Sequence, residues 1–172
     1  MRVKPWIERK FDLGLPPWMM PHLLERLGGT PLRVEDKLKK HWAILTTKPP
    51  DGKWSIQEHA GHLADADILS LRRFNEFAAG ITELTLADMS GRKTKEALYN
   101  QRTIEDILEN IIRARQEVID LLLKQDDSYF TRQAMHPRLQ LTMTPVDLMY
   151  FFAEHDDYHL AKMTELAAML SV

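Results

Sequence analysis

Two histidines, His155 and His159, stand four residues apart in the segment AEHDDYHLAKM, residues 153–163. On a helix that spacing places one imidazole a turn above the other on one face. Leu148, Phe152, Met163, Leu166 and Leu170 project in nearly the same direction, so the two rings interrupt an apolar stripe. A buried polar group without a partner costs about 1–3 kcal/mol, so the pair needs either hydrogen-bond partners or a metal. Neutral imidazole is the commonest metal ligand, and an i, i+4 pair can offer two nitrogens to one ion. The plainer alternative is a satisfied core pair. A third ligand is available in EHAGHLADAD, which carries His59 and His62. A helical wheel centred on Leu63 puts His59 closer to the apolar stripe and His62 on its flank, so the pattern by itself favours His59.

The rest of the reactive inventory is thin. Cysteine is absent, which excludes disulfides, thiolate nucleophiles and Cys-ligated metals. Neither a glycine-rich phosphate loop nor a serine-centred nucleophile motif occurs. Glu58 is accounted for by a capping box with Ser55, three residues earlier. His22, His41 and His136 are isolated and read as surface or locally bonded residues. Arg72, Arg73 and Arg102 could hold an anionic substrate, though a solvated helix face explains them as well. Asp65 and Asp67 read as solvated or paired with helix-face charges. Asp156 either orients a ligand or is an exposed helix charge. The run Arg92-Lys93-x-Lys95 has acidic neighbours and lacks interleaved aromatics on which bases could stack.

Four helices must position these residues. The first opens at Thr30-Pro31, with Thr as cap and Pro at the first helical position. Leu32, Leu38, Trp42 and Leu45 then recur before the breaker Lys48-Pro49-Pro50-Asp51-Gly52. The second runs from Ser55 to Gly80, the third from Thr103 to Leu122, and the fourth from Thr144-Pro145 to about Leu170. Leu139 to Met143 alternates briefly, but a lone short strand has no partner. The expected fold is all-α, a four-helix bundle with long crossover connections at 81–102 and 125–143. The whole chain, 1–172, reads as one domain, with 1–29 an N-terminal arm packed on the bundle. Trp6, Phe11 and Trp18 are the expected anchors of that arm, and a short helix is expected around His22 to Arg26.

With 44% apolar and 28% charged residues, a chain of 172 residues can bury a sizeable core and is not a disordered one. The 23 basic and 25 acidic residues give a charge of −2, which supplies no global attraction for nucleic acid. The longest apolar run, Leu148 to Ala153, is far short of the roughly 20 residues of a membrane span. The N-terminus carries charges where a secretory signal is apolar. A cytoplasmic protein with no nucleic-acid or membrane partner is expected.

Two segments together resemble a known family. WSIQEHAGHLADAD (residues 54–67) and AEHDDYHLAKM look like the paired histidine elements of the DinB/YfiT-like superfamily, and ERLGGTPLRVED (residues 25–36) also resembles its members. The resemblance implies a four-helix bundle with a long crossover, in which three histidines bind one divalent metal (nickel, zinc or iron). Carried over by position, the ligands are His62, His155 and His159, which overrides the wheel's preference and leaves His59, with Asp156, as a supporting residue behind the ligands. Lys162 stands where glutamine is common in the family. Three neutral histidines would leave open coordination positions, as a catalytic site requires. The implied activity is metal-dependent hydrolysis, or transfer of a low-molecular-weight thiol co-substrate, with the metal activating water or thiol for a small-molecule substrate. A homodimer is implied as well. The alternative is a non-catalytic metal- or ligand-binding helical bundle in a stress response.

Overall fold

A computed structural model describes residues 2–170. Its helices are α1 (Met20–Gly28), α2 (Thr30–Lys40), α3 (Ile56–Ala78), α4 (Arg92–Glu96), α5 (Ile104–Leu123) and α6 (Pro145–Leu170). The expected caps of α3 and α5 are present. Ser55 Oγ accepts from the Glu58 amide at 3.1 Å while the Glu58 carboxylate accepts from the Ser55 amide at 2.9 Å. Thr103 accepts from the Asp106 amide. At the start of α6, Thr144 and Asp147 exchange bonds in the same reciprocal way.

The apolar side chains form two clusters, and their order along each helix gives the topology. One contains Leu23, Leu27, Phe74, Phe77, Val118, Leu122 and the stretch Val146 to Ala153. The other contains Val34, Leu38, Ile56, Leu63, Ile107, Ile111, Leu160 and Met163. Helices α3 and α5 both pass from the second cluster to the first, whereas α1–α2 and α6 pass from the first to the second. Successive helices α3 and α5 are therefore parallel, and the chain between them must travel back along the bundle. That return is why residues 79–103 make so long a connection. It carries α4, and its last turn packs against the start of α3.

Some sequence expectations need correction. Thr30 is not a free cap: α1 leads into α2 through Gly29 with helical backbone, and the Thr30 hydroxyl donates to Asp156 at 2.7 Å. The first helix stops at Lys40 rather than continuing to Leu45, with a short 3-10 turn at Trp42–Ile44. Leu38 and Leu45 are buried, but Leu32 and Trp42 are 70% and 75% exposed, so the apolar recurrence there overstated the buried face. The alternating segment does have a partner. Strand β2 (Leu141–Met143) pairs antiparallel with β1 (Ala134–His136), whose three residues are too few to show a pattern.

The N-terminal arm lies along α6. The amides of Gly14 and Leu15 donate to Asp147 Oδ1, at 2.8 and 2.9 Å, and the Val3 amide donates to Glu165 at 3.1 Å. Trp6 is buried against Phe151 and Tyr158, with Phe11 beside it, whereas Trp18 is exposed.

Candidate metal centre

Between the two apolar clusters lies a polar layer, set by Asp67 of α3, Arg115 of α5 and His155, Asp156 and His159 of α6, with His59 and His62 joining it from the first two turns of α3. Its first part is a group of imidazoles. One ring nitrogen from each of His62, His155 and His159 lies within 4.8 Å of the others. His155 Nε2 faces His159 Nε2 at 3.1 Å. The opposite nitrogen of His159, Nδ1, lies 2.8 Å from Nδ1 of His59. His62 Nδ1 lies 3.1 Å from the Thr94 hydroxyl, brought in by α4. Thus the two histidines of α3 divide the work: His62 joins the convergent group and His59 backs it through His159.

Aromatic rings enclose the cluster. Trp54 packs on His62 with ring centroids 4.7 Å apart and stacks with His159 at 6.0 Å. From the arm, Trp6 meets His155 edge-on at 5.1 Å. This enclosure keeps the imidazoles neutral. Burial pushes His59 down to about 3 and His62 to about 4, and drives His155 and His159 well below the ordinary histidine value.

A pH dependence follows. Unfolded histidines bind protons near pH 6.5, while the folded ones stay neutral, so the unfolded state binds more protons as pH falls below that value. The stability these histidines contribute is complete above pH 6.5 and is lost as the solution is acidified toward pH 4. Each histidine held neutral adds a slope of about 1.4 kcal/mol per pH unit across this window. Thermal melts of metal-free protein between these pH values should show the loss, and His59→Gln should flatten it. A melting temperature insensitive to pH there would contradict the neutral cluster.

The layer's second part was not legible as such in the sequence. Asp67, Arg115 and Asp156 are each at most 2% exposed and form one ionic group. Arg115 Nε donates to Asp67 at 3.0 Å, and its Nη1 stands 2.7 Å from Asp156 Oδ2 and donates to the Leu27 carbonyl at 3.0 Å. Neither sequence alternative describes Asp156: it is buried, and its bonds go to Thr30 and Arg115 rather than to an imidazole. Asp67 is not a solvated charge, whereas Asp65 does pair, with Lys93 at 3.0 Å and the Tyr99 hydroxyl at 2.7 Å. The missed signal was Arg115 itself, which falls in register with Ile111, Val118 and Leu122 on the buried stripe of α5.

Further residues depart from expectation. Arg73 is 1% exposed rather than on a solvated face, and it meets His136, which is buried. The run Arg92-Lys93-x-Lys95 is helical, and the Thr94 within it reaches His62.

A helical bundle with a three-histidine cluster in its polar middle layer defines a class of candidate metalloprotein. The chain belongs to the DinB superfamily, whose family model matches residues 36–163. Among solved structures it is similar to YfiT from Bacillus subtilis, at 21% identity and a TM-score of 0.77, covering 95% of this chain and 94% of that one. That protein is described as a probable metal-dependent hydrolase with an unusual four-helix bundle topology. No curated protein matches the chain. No helix among the described residues is long and apolar enough to cross a membrane.

Proposed function

We propose that His62, His155 and His159 hold one divalent cation and that the protein is a metal-dependent hydrolase acting on a small molecule. The observation that carries this reading is the convergence of three neutral imidazole nitrogens within 4.8 Å. The donor set fits such an ion. Two nitrogens about 2 Å from one tetrahedral ion stand roughly 3.3 Å apart, close to the 3.1 Å between His155 and His159.

The supporting residues fix which nitrogens face inward. If His159 donates its Nδ1 proton to His59, its Nε2 carries a lone pair directed at the shared space. Thr94 does the same for His62 by engaging Nδ1. Such outer partners orient ligand rings and raise their basicity. A divalent ion in this place supplies a Lewis acid that polarises the substrate and makes water a competent nucleophile near neutral pH. Nickel, zinc and iron all suit imidazole donors. Trp54 and Trp6 screen the rings from bulk water. The homodimer that the family resemblance implies would have exposed Leu32 and Trp42 as apolar contacts.

The experiment is turnover of activated esters and amides by protein loaded separately with zinc, nickel and iron. Hydrolysis that disappears in His62→Ala supports the proposal. Reaction of an electrophile only when a low-molecular-weight thiol is added would replace hydrolysis by S-transfer. Metal binding with neither reaction would leave a non-catalytic metal-binding bundle.

A further inference from the structure

Arg138, Arg73 and His136 form a second polar group that the histidine cluster does not use. Arg138 makes no hydrogen bond or ion pair among the described residues, and its Nη2 is buried without a partner. Its guanidinium lies over the Phe151 ring, 5.9 Å from the centroid. The same ring lies 5.0 Å from that of His136. Arg73, almost fully buried, directs Nε and Nη2 to the Thr85 carbonyl at 3.0 and 2.8 Å, and Nη1 to His136 Nε2 at 3.2 Å. No carboxylate among the described residues bonds to it. The nearby Glu76 spends its oxygens on Thr85 and Arg72.

His136 makes the donor excess explicit. Its Nδ1 faces the Leu139 amide at 3.2 Å while Nε2 faces Arg73 Nη1. A neutral imidazole has one lone pair and one N–H, so it can accept from only one of these donors and must point its own proton at the other. The buried Arg73 guanidinium and the half-buried Arg138, neither with a bonded acid among the described residues, the unpartnered Arg138 Nη2 and an imidazole with two donors lack the same thing, an acceptor carrying negative charge. Charged donors bind such acceptors most strongly, and guanidinium matches the fork of an oxyanion.

We infer that Arg138, with Arg73 and His136 behind it, is a binding site for an oxyanion group, carboxylate or phosphate, of a small molecule. Phe151 and His155 are one turn apart on α6, and Trp6 touches both rings, so the anion would sit about 6 Å along the helix from the histidine cluster. If the proposed metal-dependent activity holds, the substrate is an anion whose charged end docks at Arg138 while its reactive bond reaches the histidines.

The site is tested on metal-free protein, so its outcome does not depend on the metal. The Arg138 Nε–H resonance is followed by NMR during separate titrations with acetate, inorganic phosphate and chloride at constant ionic strength. Saturable shifts with acetate or phosphate, weakened about tenfold in Arg73→Lys, support the site; the stronger of the two names the oxyanion. In Arg138→Gln, the shifts of neighbouring Leu139 and Phe151 amides with either anion should disappear while the melting temperature holds. No saturable shift, an equal response to chloride, or undiminished Leu139 and Phe151 shifts in Arg138→Gln would overturn the inference. Anion binding without metal binding would leave this site standing and remove the proposed activity.

Discussion

Replacing Arg115 by Met is expected to destabilise the fold by about 3–5 kcal/mol, the cost of leaving buried charges without their partner. Among the described residues, Arg115 is the only bonded cation of two carboxylates that are themselves at most 2% exposed. Burial pushes the Asp67 carboxyl up, Arg115 opposes this, and neighbouring Asp156 pushes it further up. Without Arg115 the layer would hold two acids that cannot both stay ionised. Removing one acid instead is far milder, because Asp67→Asn leaves Arg115 and Asp156 as a neutral pair. The linkage has a definite sign. A carboxyl with a raised folded value favours folding when protonated, so its contribution is lost as pH rises above the unfolded value of 3.8. Asp67→Asn should therefore remove a stability loss that accrues as pH rises from 3.8 to about 7. Urea melts of both variants decide the matter, and an Arg115→Met cost below that of Asp67→Asn would contradict it.

A second large effect is expected at Gly61, one residue before His62. A Cβ built there falls inside the van der Waals radius of three Tyr99 ring carbons. Tyr99 cannot easily yield. Its hydroxyl donates to Asp65 at 2.7 Å, its carbonyl accepts from Gln57 at 2.7 Å, and it is 7% exposed. Gly to Ala in a helix interior normally gains about 0.5–1 kcal/mol. Overpacking costs about 1–3 kcal/mol, so the clash wins. The displaced turn carries Thr94 with it, and the expected consequence is weaker metal binding, by about tenfold. Calorimetry should show both losses in Gly61→Ala, and unchanged stability with unchanged metal affinity would refute the role of this close approach.

Helix-level features were legible because their signals are local. Ser55 with Glu58 and the Thr144-Pro145 start identify themselves within four residues, and the apolar runs follow. The identity of the third histidine was not local. The wheel favoured His59 because burial on α3 faces the core, and His59 is indeed buried. Yet it touches the far side of His159, whereas His62 on the flank reaches the shared space because α4 covers that flank. No pattern within α3 could report the path of residues 79–103. Asp67 is misjudged for a related reason: its burial depends on Arg115, which stands in the buried register of a different helix, α5. His136 looked isolated because its partner Arg73 is 63 residues away.

The central claim is tested most directly by elemental analysis of protein purified without a histidine tag, together with four single variants. The expected result is about one divalent ion per chain in the wild type, after incubation with zinc, nickel or iron. His62→Ala, His155→Ala and His159→Ala should each lose it, while His59→Ala keeps a site weakened about 10–100-fold. An empty wild-type protein after every incubation, or full occupancy in His62→Ala, would contradict the three-histidine centre.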